Sequence, residues 1–339
     1  MSNNAKILFV LAPAPRSGTN YLQDLLVLHP AIKAAAIDED YLLPEFHKLR
    51  RFCTDSLKRA VIKNPEQRVG EQVTMQRVLG GALADYVGRT ASPDTAFVIS
   101  KSPALQGVEA FENFGDEARV LVVVRNGRDV VESTVKSFPW ISPSYALHRW
   151  VDGCRMLAGL PPQLAERLMI VRYEDMFRAP GEAMKAVLPW LGVAPGDYPF
   201  DKVGALPIRG SSEMRRQKKD VTWDPVPKWQ NFAPDKRSAS WSPLQVARFQ
   251  MYAGPWNVAL GYPPDPAETN IVIKAASALQ HSADSLLLRL RRSRRALVQR
   301  DIGSFPPFLP AGASALREEI AALQRLMSER CLQLNASGE

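Results

Sequence analysis

Four short apolar runs punctuate this chain, at Lys6 to Leu11, Ala96 to Ser100, Val120 to Val124 and Leu168 to Val171, and helical periodicity fills the stretches between them. Apolar runs without polar alternation are strands buried on both faces, and strands alternating with helices predict an α/β fold built on a parallel sheet. Ligands of such sheets bind beyond the carboxyl ends of the strands. The loop at Pro15, the tripeptide Lys101-Ser102-Pro103, Arg125 and Tyr173 all fall at those ends.

After about Pro264 the character changes. Residues 271–300 read as helix and end in LLLRLRRSRRALVQR, SFPPFLPAG breaks the chain, and Ser314 to Leu334 reads as a further helix. The division expected is a domain over 1–265 and a helical C-terminal extension over 266–339. In the last helix Leu316, Ile320, Leu323, Met327 and Leu334 keep approximate heptad spacing, which leaves a coiled-coil homodimer and docking on the body both open.

The first strand leads into Pro15-Arg16-Ser17-Gly18-Thr19 and then an amphipathic helix. Backbone N–H groups of such a loop, joined by the positive end of the helix, form an anion site, and Arg16 adds a full charge beside it. The loop is not a Walker A sequence, because Gly18 is followed by Thr19 and Asn20 where Gly-Lys-Ser/Thr is required. A second anion site is predicted over Val120 to Lys136, where a buried strand ends in Arg125 and a helix starts near Arg128. Ser133 lies eight residues beyond Arg125. If the chain reverses through Asn126-Gly127, Ser133 on the second turn faces the same space as the Arg125 guanidinium.

Composition narrows the classes. With 339 residues and 46% apolar content, the chain supports a large globular domain. Cys53, Cys154 and Cys331 are widely spaced with no C-x-x-C, so neither a disulfide framework nor a zinc site is indicated, and a reducing compartment is expected. No segment reaches the roughly 18 to 20 apolar residues of a membrane span, and the opening lacks a signal cleavage site. A cytoplasmic protein is the expectation.

The formal charge is +8, from 43 basic and 35 acidic residues. Without Arg289, Arg291, Arg292, Arg294, Arg295 and Arg300 the basic count is 37 and the charge +2. The basicity is therefore local to 289–300, a solvated helix face in the first instance and a peripheral contact for anionic membrane in the second. No nucleic-acid partner is expected.

PRSGT after strand one, together with R-x-x-R-D-x-x-x-S after a central strand, resembles the sulfotransferase family. That family transfers a sulfuryl group from 3′-phosphoadenosine-5′-phosphosulfate (PAPS) and releases the bisphosphate PAP. The resemblance implies a P-loop-type parallel β-sheet of about four or five strands flanked by helices, with the C-terminal helices as an appendage. It implies that Pro15, Arg16, Ser17, Gly18, Thr19 and Asn20 cradle the 5′-phosphosulfate, while Arg125 and Ser133 bind the 3′-phosphate. IVRYEDM resembles a strand-end element whose tyrosine, here Tyr173, lies near the adenine. Gly210-Ser211-Ser212 with Lys228-Trp229 resembles the late segment that folds over the nucleotide, and Gly254 to Tyr262 resembles the terminal helix, so the likeness spans about Ala5 to Pro264.

The branch implied is the tyrosylprotein and carbohydrate type, because Lys101-Ser102-Pro103-Ala104 is not followed by the histidine base of the cytosolic branch. In the implied branch a glutamate follows the first helix and its His-Pro ending, and His29-Pro30 is followed here by Asp38-Glu39-Asp40. Glu39 is the preferred base among the three, with His47 in reserve. Arg16, Lys228 and Lys101 are the candidate catalytic cations. The donor is PAPS, no metal is required, and the acceptor is a hydroxyl of a small molecule, lipid or saccharide, an amine ranking second. Residues 38–88 and 206–231 shape its pocket. A P-loop kinase and a catalytically silent nucleotide-binding scaffold are the competing readings.

Overall fold

The computed structural model describes residues 5–62, 64–212, 221, 223–228, 232–264, 273, 275, 278, 279 and 313–334. The basic run at 289–300 and Trp229 lie outside the described residues. In chain order the elements are β1 (Lys6–Leu11), α1 (Thr19–Leu26), β2 (Ile32–Ala34), α2 (Leu42–Lys58), α3 (Pro65–Gly88) and β3 (Phe97–Ser102). There follow β4 (Arg119–Val124), α4 (Gly127–Ser137), α5 (Pro143–Ala158), α6 (Pro162–Ala165), β5 (Leu168–Arg172), α7 (Tyr173–Arg178), α8 (Pro180–Leu191), α9 (Pro243–Tyr252), α10 (Gly254–Ala259) and α11 (Ala313–Arg330).

The five strands form one parallel sheet in the order β2-β3-β1-β4-β5. β1 is central, with Val10 opposite Lys101 on one side and Leu121 on the other. Alternate residues feed two separate cores, as the period of a strand requires. Phe9, Leu11, Val122 and Ile170 face a layer containing Trp150 of α5 and Trp256 of α10. Leu8, Val10, Leu121 and Val171 face Leu22 and Leu25 of α1 and Met184 and Val187 of α8. Because both faces are covered, the strands are apolar throughout, which is what made four of them readable.

Two features depart from expectation. β2 spans only Ile32 to Ala34, with Ile32 alone buried and Lys33 exposed, so it carries too little apolar sequence to announce itself. β3 runs two residues further than its apolar run and takes Lys101 and Ser102 into the sheet. Lys101 stands at the carboxyl end of the strand, as expected, but its side chain is completely buried.

The last helix packs on α5, α10 and β5. Leu323 and Met327 of its heptad stripe are buried in the same cluster as Trp150, and Leu316 and Ile320 pack against it. Arg155 Nε donates to Glu319 Oε2 at 3.1 Å, and Leu332 N donates to Ile170 O at 2.8 Å beside the edge strand. The stripe is therefore used for docking on the body. Among the described residues no helix is long and apolar enough to cross a membrane.

The loop after β1 is braced from behind by α5, where a Cβ on Gly153 would overlap the carbonyl of Pro13. A backbone neighbour cannot rotate away as a side chain can. Gly153→Ala is expected to cost about 1–3 kcal/mol of stability, the usual range for forced overpacking, as read by the midpoint of chemical denaturation.

Candidate active site

The loop between β1 and α1 is built by local constraints. Ser17 is buried and donates its hydroxyl to Ala14 O at 2.7 Å, which closes the turn on itself. Gly18 sits at φ 112°, left-handed backbone that disfavours any Cβ, and a Cβ there would also overlap the Tyr173 ring. Arg16 has φ 76°, a conformation a long side chain adopts only under constraint from its surroundings. α1 then starts with no side-chain cap and no acid in its first turn, so its orphan N–H groups face the loop side without a negative neighbour.

Three arginines converge on this loop. Arg125, buried at the end of β4, donates from Nη1 to Arg16 O at 2.8 Å and from Nη2 to Pro234 O, and its guanidinium lies 4.5 Å from the Tyr173 ring centre. Arg16 donates from Nε to Ser133 Oγ at 3.3 Å and from Nη2 to Gly210 O. Arg237, buried, donates to Ser211 Oγ at 3.1 Å. Ser133 and Ser212 hydroxyls are 3.1 Å apart. Neither Arg16 nor Arg125 forms an ion pair with a carboxylate among the described residues. Burial first, and the Arg125 charge second, pull Arg16 down to about 10 and Arg237 down to about 9. Positive charge is thus concentrated in a desolvated space, which is the physical description of an anion site.

The cleft these groups line has a volume of ≈ 460 Å³, the size of a small-ligand pocket. Its walls include Arg16, Gly18, Thr19, Arg125, Ser133 and Arg237. The profile of the sulfotransferase family matches residues 8–197, from within β1 to beyond α8. The chain belongs to the sulfotransferase family. Its reaction is sulfuryl transfer, and the family fold is the P-loop-type parallel sheet described above.

Relatives agree at modest identity. Protein-tyrosine sulfotransferase 1 of Danio rerio is 22% identical over 264 residues, 76% of this chain and 72% of the relative. The protein-tyrosine sulfotransferase of Drosophila melanogaster is 24% identical over 277 residues, 75% of this chain and 54% of the relative. Among solved structures, the sulfotransferase domain of the Synechococcus PCC 7002 olefin synthase is 18% identical with a TM-score of 0.43, covering 83% of this chain and 96% of that chain.

Within this sulfotransferase the acidic triplet is divided. Asp38 accepts from Lys101 Nζ at 3.0 Å and from Gln23 at 3.1 Å. Burial pushes the Asp38 carboxyl up, but the hydrogen bond and charge of Lys101 outweigh it and hold the group below its ordinary range. Asp40 accepts from Leu42 N at 3.1 Å at the start of α2, and burial raises it. Glu39 lines the cleft, and its Oε2 accepts from the Tyr41 hydroxyl at 3.2 Å. His47 is exposed on α2, bonded through Nδ1 to Pro44 O at 2.8 Å, and does not line the cleft, so the structure does not bring the reserve base to the site.

Of the cations, Lys101 lies beneath the cleft wall, its Nζ held by Asn20 Oδ1 at 2.5 Å and Asp38. Its charge fixes Asn20 and Asp38 and is not presented to the cleft. Lys228 does line the cleft, donating to Gly204 O at 3.2 Å, and burial lowers its pKa. Pro15, Asn20, Tyr173 and Ser211 also line it, whereas Ser17 and Ser212 act one step back through their hydrogen bonds.

Sequence reasoning missed Arg237, Arg149, Arg209 and Trp223. Arg209 pairs through two nitrogens with Asp24, whose carboxyl burial raises. Trp223 lies under Arg16, 5.3 Å from its guanidinium, where Gly210 at φ 64° leaves the room a Cβ would take. Arg209, Trp223 and Arg237 sit on segments with no strand or helix signal, and Arg149 sits within α5, where one arginine on a helix face does not announce a site. Gly18→Ala combines strained backbone with ring overlap; it is expected to lower stability by about 1–3 kcal/mol, as read by thermal melting.

Proposed function

We propose that the cleft binds PAPS with the phosphosulfate on the loop and the start of α1, and the 3′-phosphate among Arg125, Ser133, Arg237 and Ser211. The observation that carries this reading is the convergence of three guanidinium groups and a loop of N–H donors on one cleft. Ser212 holds Ser133, and Tyr173, stacked under Arg125, offers the adenine an aromatic edge. Arg16 and Ser133 were assigned to different phosphates from the resemblance, yet they touch. Arg16 therefore exchanges Ser133 and the Gly210 carbonyl for phosphosulfate oxygens when the donor arrives, freeing Ser133 for the 3′-phosphate.

Transfer proceeds in line. Glu39 takes the proton of the acceptor hydroxyl as its oxygen bonds to sulfur, and the bond from sulfur to the bridging phosphate oxygen breaks, leaving PAP. Arg16, Lys228 and the loop N–H groups stabilise charge on the departing phosphate, where preorganised donors act most strongly. A phenolic hydroxyl is the favoured acceptor group: the relatives are protein-tyrosine sulfotransferases, and the cleft mouth is walled by Phe138, Trp140 and Trp223. Phe138 lies 5.5 Å from Trp140 and 6.5 Å from Trp223, ring centre to ring centre, leaving aromatic faces toward a flat ring. The scheme calls on no metal ion.

Calorimetry with PAP and ADP separates this reading from a kinase. Removing a charge-assisted contact costs about 1.5–3 kcal/mol, so Arg125→Ala is expected to lower PAP affinity at least tenfold while leaving the weaker ADP affinity almost unchanged. Equal affinity of the parent protein for the two nucleotides would overturn the 3′-phosphate assignment. Glu39→Gln is expected to slow PAP release from PAPS with a phenolic acceptor by about a hundredfold or more, with PAP binding intact; an unchanged rate would remove Glu39 as the base.

A further inference from the structure

Tyr41 and Arg149 line the donor cleft and also a second cavity of ≈ 820 Å³. That cavity lies between α2, the segment after β3 and the C-terminal end of α5, and its walls include Pro44, Leu105, Val108, Met156 and Leu160, with Phe46 at its base. Tyr41 and Arg149 thus mark the neck where the two spaces adjoin. Tyr41 bonds to Glu39 on the cleft side, so the candidate base lies one residue contact from the opening. Tyr41 itself stands in left-handed backbone at φ 51° and lines both spaces.

Charge at the neck is unbalanced. Arg149, half-buried on α5, forms no hydrogen bond or ion pair among the described residues, whereas Arg50 on the far rim is paired with Glu109 at 3.4 Å. A half-buried cation beside an apolar cavity lacks a partner that the protein does not supply. Three features adjoin here: a carboxylate in the cleft, a cation shared by both linings, and a largely apolar space beyond it.

Resting on the reading of the cleft as the sulfuryl-transfer centre, we propose that the acceptor is an amphipathic hydroxy acid. Its hydroxyl reaches Glu39, its anionic group pairs with Arg149 at the neck, and its apolar tail fills the second cavity. The aromatic wall of the cleft favours a phenol at the hydroxyl end, so a fatty-acylated tyrosine carries the three groups in the required order.

Calorimetry on the full chain without nucleotide tests this with N-dodecanoyl-tyrosine, N-acetyl-tyrosine, which lacks the tail, and N-dodecanoyl-tyramine, which lacks the carboxylate. The dodecanoyl acid is expected to bind at least tenfold tighter than either. Arg149→Gln is expected to erase the preference for the carboxylate and keep that for the tail. Met156→Trp and Gln106→Trp, which fill the cavity from a helix and from a loop, are expected to do the reverse; Met156 packs against the core, so the partly exposed Gln106 on its loop provides the variant that leaves the core in place. Equal affinity for the three ligands, or a tail preference that survives both tryptophan variants, would overturn the proposal. A parallel PAP titration separates the two readings: discrimination among the acyl ligands with no PAP binding sinks the donor assignment alone, and PAP binding without discrimination sinks the acceptor assignment alone.

Discussion

The arrangement of this site depends on three arginine side chains being held near one another where water is scarce. Like charges in such a space repel, and burial penalises each of them further, which is why Arg16 and Arg237 are shifted so far down. What holds them is a set of neutral acceptors. Arg125 bonds to the carbonyls of Arg16 and Pro234, Arg16 to the carbonyl of Gly210, and Arg237 to the hydroxyl of Ser211. Two of those carbonyls belong to late segments of the chain, so the cations draw residues around 210 and 234 across the cleft even without an anion. Neutral carbonyls compensate a guanidinium only in part, and under the proposed function a ligand carrying two phosphates would supply what they lack.

Close approach is the second constraint, and it follows from the first. For the arginines to meet, the loop after β1, the start of α7 and the body of α5 have to touch at backbone distance. Gly18 lets the Tyr173 ring lie against the loop, Gly153 lets α5 lie against Pro13, and Gly127 lets α4 start over Trp150. Each of these positions has a neighbour where a methyl group would go. Tyr173 then presents its ring to Arg125, so the packing that tightens the loop also lowers the cost of a buried cation.

Legibility in the sequence follows from how each part is determined. The central strands could be read because burial on both faces makes them continuously apolar, and Arg125 and Ser133 because a strand end and a helix turn fix their relative position in space. β2 could not be read, since three residues at a sheet edge need only one buried side chain. Lys101 could be placed at the strand end but its burial was not legible, because in sequence a buried lysine there looks like an exposed polar end; Asp38 and Asn20 in space explain it. Arg237 and Arg149 were invisible for a related reason: one stands on a late loop and the other within α5, and both reach the cleft wall only in the folded chain.

The acidic triplet shows how three adjacent carboxylates are given different work. Asp40 is tied to the fold twice, since its side chain accepts from Leu42 N at the start of α2 and its own N–H donates to Lys101 O at 3.1 Å. Asp38 is committed to Lys101, whose charge is fully enclosed and would otherwise be uncompensated. With its neighbours anchored on either side, the backbone at residue 39 is constrained, and Glu39 faces the cleft with the Tyr41 hydroxyl bonded to it and the Arg16 charge nearby. In the proposed mechanism Lys101 therefore serves the chemistry without touching a reacting atom: by holding Asp38 and Asn20 it steadies the segment that carries Glu39.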